Sequence, residues 1–221
     1  MATRQLLNEL LALHAAQGGC AVQLESVGGV DAAKRVQAGE VFDIVFLAEE
    51  AIDKLIAAGP LDGASKVSLA ESGVALAVRA GAAQPDISSA QAVRDAVLAA
   101  RSLSYSTGPS GVALARLFAD WGIADQLQER LVTAPPGVPV GSLVASGQVD
   151  LGFQQRSELI HLPGISVLGD LPDAIQITTI FSAAIAKASS HPQEARALLR
   201  FLTSAQAADA ICRQGMVPAS T

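Results

Sequence analysis

The chain has 221 residues, half of them apolar and only 16% charged, with a formal net charge of -6. That length allows one large domain or two small ones, each with its own core, and the composition belongs to a compact globular protein, not a disordered one. The acidic balance excludes a general nucleic-acid surface, which needs a basic face to displace counterions from phosphates; one Trp, one Tyr and six Phe leave little for stacking on bases.

No run of about 18 apolar residues occurs, so no direct membrane insertion is expected. The opening MATRQLLNELLALHAAQGG carries Arg4 early, but Asn8, Glu9 and His14 interrupt the apolar stretch that a secretion signal requires. As written, the chain reads as cytoplasmic, or as one whose export segment is left out. The same stretch reads better as a helix: Leu6, Leu7, Leu10, Leu11 and Leu13 form one apolar stripe, ended by Gly18 and Gly19.

Strands and helices then alternate, which predicts an α/β fold with a mainly parallel sheet covered on both faces. AVQLES (21–26) is expected as a strand, DAAKRVQA as a helix closed by Gly39, and FDIVFLA (42–48) as a buried strand. EEAIDKLIAAG starts with acids that suit the helix dipole and stops at Gly59-Pro60. GVALAVRA (73–80) is a strand, Ser88 and Ser89 can cap a helix to about residue 100, and SLSYS (102–106) is a strand. TGPSG leads into the helix VALARLFADWG; LVTAP (131–135), a short helix to Gly147 and VDLGFQQ repeat the alternation. ISVLGDLP, the apolar run 177–189 and two closing helices complete the chain.

Two segments share one grammar. VQAGEVFDIVFLAEEAI (36–52) and VASGQVDLGFQQRSELI (144–160) each have a short helix ended by Gly, an Asp that opens an apolar strand, a Phe near its end, and a following helix start. Either the molecule has two similar lobes, or this is the likeness that any two αβ units show.

In such sheets ligands bind beyond the carboxyl ends of strands, where loops meet helix N-termini. Four loops have that position: GGVD (28–31), STGPSG (106–111), PPGVPVGS (135–142) and QQRSE (154–158). Gly28, Gly29 and Gly111 allow close approach of backbone to a solute; Ser106, Thr107 and Ser110 supply hydroxyls, and Gln155 and Arg156 longer donors. Together with the amides of helix starts, these suit a small oxyanion or carboxylate. Plainer readings exist: GPSG as a turn with Ser110 capping a helix, and Arg156 paired with an acid.

No nucleotide-binding glycine pattern is present. None of His14, His161 and His191 lies in these loops, so a Ser-His-Asp hydrolase is not expected. Cys20 and Cys212 form no C-x-x-C pair; no metal and no cofactor are expected, and whether the two cysteines pair stays open.

Three stretches carry a resemblance: VDAAKRVQAGEVFDIVFLAEEAIDKLIAAG, STGPSGVALARLFADWGI and the closing SAQAADAICRQGMVPAS. The chain resembles the type II periplasmic solute-binding proteins, in particular the molybdate-binding branch, over nearly its whole length. The resemblance implies two lobes, residues 1–77 plus 183–221 and residues 78–182, joined by two crossing hinge strands, GVALAVRA and TTIFSAAIAKA. It implies a solute in the interlobe cleft, held near Thr3, Gly29, Ser110, Val138 and Gln155, with hinge closure favoured because the solute bridges both lobes. It also implies a periplasmic location, and an ABC permease or a sensor as the partner served.

Two departures matter. Molybdate binders begin with a strand and a serine-bearing loop, whereas this chain starts at Met1-Ala2-Thr3: either the first strand is omitted or this member lacks it, and omission is the expectation because a lost central strand would expose its neighbours' backbone edges. The branch usually has a tyrosine near Gln155, where this chain has QQR, a set better suited to a planar carboxylate that Arg156 can meet with two parallel hydrogen bonds. Relatives of this branch include members resembling aconitate isomerase, which shifts a proton across an allylic system. That reaction needs a general base, and none is evident, since Glu49 and Glu158 read as helix-start charges. Binding is the first expectation and isomerisation the alternative.

Overall fold

The structure is a computed structural model that describes residues 2–135 and 137–219. It divides into two compact units, Met1–Ser72 with Thr179–Thr221, and Gly73–Thr178.

The first unit holds helix α1 (Arg4–Ala16), helix α2 (Gly29–Gln37), strand β1 (Ile44–Ala48) and helix α3 (Glu49–Ala58). Strand β2 (Val67–Arg79) begins in this unit and ends in the second, which continues with α4 (Ala90–Ala99), β3 (Leu103–Tyr105), α5 (Pro109–Asp120) and α6 (Ala124–Leu127). Next come α7 (Val140–Ala145), β4 (Leu151–Gln155), α8 (Arg156–Leu159) and β5 (Ile165–Asp170). Strand β6 (Thr178–Ile185), α9 (Pro192–Leu202), α10 (Ala205–Arg213) and β7 (Val217–Pro218) return the chain to the first unit.

Local chemistry explains most boundaries. Glu49 and Glu50 occupy the first turn of α3, and Gly59 ends it at φ 109°, a left-handed value that costs glycine nothing. The Ser89 hydroxyl accepts the Ala92 N–H at 3.1 Å and caps α4. Pro109 and Pro192 open α5 and α9, where a missing N–H has no consequence.

The expectation of a mainly parallel sheet needs correction. Among the described ladders only β3–β4 is parallel; β1–β6, β2–β4, β2–β5 and β2–β7 are antiparallel. The chain runs into the second unit along β2 and back along β6, and strands that reverse the chain pair antiparallel with their neighbours. Two expected strands are also absent. Residues 21–26 have no regular structure, because β-forming side chains make a strand only where a partner supplies the ladder. In 131–135 only Leu131 pairs, by a single bridge to Leu103, and Pro135 offers no N–H to extend it.

Each unit has its own core. In the second, Leu76, Leu103, Leu114, Phe118, Leu151 and Phe153 form one cluster, with Phe118 and Phe153 edge to face at 5.9 Å. In the first, Leu6 and Leu10 of α1 pack with Leu198, Leu202, Ile211 and Met216, while Val36, Val45, Leu47, Ile52 and Leu55 fill the space between α2, β1 and α3. Cys20 and Cys212 are free and exposed.

Candidate functional site

In the second unit, β3 and β4 lie side by side and parallel, with Tyr105 opposite Phe153. The two loops that leave their carboxyl ends, 106–111 and 154–158, therefore emerge together. Ser106 and Ser110 hydroxyls meet at 3.0 Å, part-buried, and Thr107 between them is exposed. Gly111 has a steric reason: a Cβ there would fall 1.5 Å from the Ser106 carbonyl oxygen. Only glycine lets the first turn of α5 lie against the end of β3. The first N–H groups of that 12-residue helix have no partner within it and face its start.

β4 is buried along its whole length, yet it ends on two amides, Gln154 and Gln155, only 4% and 5% exposed. Buried amides need partners. The Gln154 Oε1 accepts the Gly141 N–H at 3.3 Å, and its Nε2 donates to the carboxylate of Glu158. Gln154 thus ties the third loop, through the start of α7, to the fourth. Pro136 of that third loop, with Met1 and Ser220 of the quoted terminal stretches, lies outside the described residues; Val138 is exposed beside the tie. Burial pushes the Glu158 carboxyl above the ordinary glutamate range, against the hydrogen bond from Gln154 that favours its charged form.

Arg156 is engaged: its Nη1 donates to Asp170 of β5 at 3.1 Å, both side chains half-exposed. Beside the hydroxyl pair, a hollow of about 160 Å³ is lined by Tyr105, Val112, Ala115 and Leu131 together with Ser106, Thr107, Gly111 and Thr133. Burial also raises the Tyr105 phenol.

Thr3, Gly28 and Gly29 belong to the first unit. Thr3 is buried and precedes α1 without a side-chain cap bond. Gly28 and Gly29 open α2, and a Cβ on Gly29 would meet Leu47 at 3.7 Å, so this loop lies by the end of β1. Sequence reading placed Gln154 in a candidate loop without giving it a contact and set Glu158 aside as a helix-start charge; the signal available was an i, i+4 polar pair starting inside an otherwise apolar strand.

Similarity to known proteins follows the same lines. Residues 1–217 match the family model described as bacterial extracellular solute-binding protein. Aconitate isomerase from Pseudomonas sp. is 41% identical over 184 residues, 83% of this chain and 70% of that protein. The periplasmic molybdate-binding protein of Azotobacter vinelandii superposes with a TM-score of 0.83 at 24% identity, over 99% of this chain and 96% of that one. The sulfate-binding protein SubI from Mycobacterium tuberculosis H37Rv gives 0.75 at 20% identity, over 99% and 84% of the two chains.

Proposed function

The chain belongs to the bacterial extracellular solute-binding protein family, and on that footing we propose that its solute is a small organic acid with more than one carboxylate. The observation that carries this reading is the donor set at the carboxyl ends of β3 and β4. The Ser106–Ser110 hydroxyl pair, the amides opening α5 and the terminal Gln155 offer neutral donors to an anion. The hollow alongside, walled by Tyr105, Val112, Ala115 and Leu131, suits a carbon skeleton and has no counterpart in the needs of a bare oxyanion. A guanidinium carries five N–H donors, so Arg156 can serve a ligand carboxylate as well as Asp170. Within this unit Thr107, Gly111 and Val138 complete the proposed contact set. In this reading the protein works in the periplasm and hands its solute to an ABC permease.

A second reading, isomerisation of an unsaturated tricarboxylate, is favoured by the 41% identity with aconitate isomerase. Calorimetry tests the first reading: trans-aconitate or citrate gives heat of binding, and molybdate and sulfate give none. Heat from molybdate alone would overturn it. Replacing Ser110 with Ala removes a hydrogen bond to a charged ligand and lowers affinity roughly tenfold.

A further inference from the structure

Resting on the isomerase reading, we propose that Glu158 is the catalytic group that carries the proton across the allylic system, and that Gln154 is its positioning residue. The proposal stands on geometry within the second unit. Gln154 has its amide orientation set by the Gly141 N–H on Oε1 at 3.3 Å, which leaves Nε2 aimed at the Glu158 carboxylate. The carboxylate is held where the 137–142 and 154–158 loops meet, three residues beyond Gln155, and Glu158 is only partly buried.

Other carboxylates in comparable places are committed to cations. Glu49, which follows β1, takes Lys66 at 3.1 Å as well as the hydroxyls of Ser68 and Ser182. Asp170 holds Arg156, and Asp150 holds Arg101 through two side-chain bonds. Glu158 receives the neutral amide of Gln154, and burial raises its carboxyl above the ordinary glutamate range, the direction that suits a group taking and returning a proton.

The step balances without a co-reactant. The Glu158 carboxylate takes a proton from the saturated carbon beside the double bond, and the C–H electron pair joins the π system as an allylic anion delocalised toward the substrate's carboxylates. The same carboxyl then returns the proton to the far carbon of the allyl unit. One C–H bond breaks and one forms, the double bond moves by one carbon, and nothing is oxidised, reduced or expelled.

The test follows trans-aconitate by proton NMR in deuterium oxide, with binding measured separately by calorimetry. The expected result is wild-type turnover, with deuterium entering the product to the extent that the Glu158 carboxyl exchanges with solvent before it returns the proton, and Glu158→Gln binding within about threefold of wild type but turning over roughly a hundredfold to ten-thousandfold slower. Glu158→Asp recovers part of the rate, which separates proton transfer from a structural role, and Gln154→Ala lowers kcat more than it raises KM. A wild-type enzyme that turns over while Glu158→Gln matches it overturns the assignment and leaves the isomerase reading standing. A wild-type protein that binds trans-aconitate with neither turnover nor deuterium exchange overturns both.

Discussion

The segments 36–52 and 144–160 have nearly the same backbone and opposite chemistry. Each short helix ends on a left-handed glycine, Gly39 at φ 86° and Gly147 at φ 75°, with paired carbonyl-capping bonds from Gly39 and Glu40 in one case and Gly147 and Gln148 in the other. An Asp then roots each strand. Asp43 accepts the Ser189 hydroxyl at 2.6 Å and the His191 N–H at 3.3 Å, and Asp150 accepts the Arg101 N–H at 3.1 Å. In both cases the hydrogen bonds hold the carboxyl below the usual aspartate range, led by the Ser189 and Arg101 side chains. Each strand passes straight into a helix through one extended residue, Ala48 at φ -56°, ψ 141° and Gln155 at φ -52°, ψ 133°.

Between root and helix the side chains diverge. Counting from the Asp, Val45 corresponds to Gly152, Leu47 to Gln154 and Ala48 to Gln155. The first segment fills its strand end with hydrocarbon. The second removes a side chain at Gly152, so that α7 packs close, and spends the gained proximity on a polar tie between Gly141, Gln154 and Glu158. One scaffold thus serves once as core and once as a chemically active edge, and the difference lies in a few side chains, Ala51 against Glu158 among them, not in the local backbone.

The largest effect is expected from closing the gap. A Cβ at Gly152 would fall 2.4 Å from the Val144 Cγ2 and 3.0 Å from the Val140 Cγ1; both are stiff β-branched chains. Gly152→Val, which copies Val45, costs about 3 kcal/mol in urea unfolding and pushes α7 away from β4. Unchanged stability would mean that the two strands pack their helices alike.

Gln154→Leu, which copies Leu47, leaves the Gly141 N–H and the Glu158 carboxylate without their partner. The expected loss is about 2 kcal/mol by the same measurement. A gain in stability would show that the tie contributes nothing to the fold.

The smallest effect is a pH slope. Burial raises the folded carboxyl of Glu158 above its unfolded value, ordinarily about 4.3. Below that value both states are protonated and no penalty exists. As pH rises past it the unfolded chain ionises first, so this group's contribution to stability falls until the folded carboxyl also ionises. The Tm difference between wild type and Glu158→Gln should therefore shift in favour of the variant as pH rises above about 4.3, and a difference flat with pH removes the burial argument.

Much of this was legible along the chain because it is local. The stops at Gly39, Gly59 and Gly147, the Ser89 cap and the hydroxyl-rich 106–111 loop each depend on a few neighbouring residues. What escaped depends on distant partners. Residues 21–26 have the alternation of a strand but no ladder to join. Arg156 reads as a donor with its acid unnamed, and only the fold shows that Asp170, fourteen positions on, is its partner. Glu158 reads as an acid at a helix start because nothing nearby reveals that Gln154 is buried and bound to Gly141. Nothing beside Gly141 and Gly152 in the chain reveals their role, which is to permit close packing: a Cβ at Gly141 would lie 2.5 Å from the Leu162 side chain.

The second unit is one unbroken stretch, Gly73–Thr178, whereas the first needs both ends of the chain. As the polypeptide leaves the ribosome, Leu6 and Leu10 must wait for Leu198, Leu202, Ile211 and Met216 before they are covered. The inner unit can complete its core from one stretch of chain, so it is the part expected to fold first, in inverse order to the usual amino-terminal lead. In refolding from urea, the amides around Phe118 and Phe153 should gain protection from hydrogen exchange before those of the opening helix.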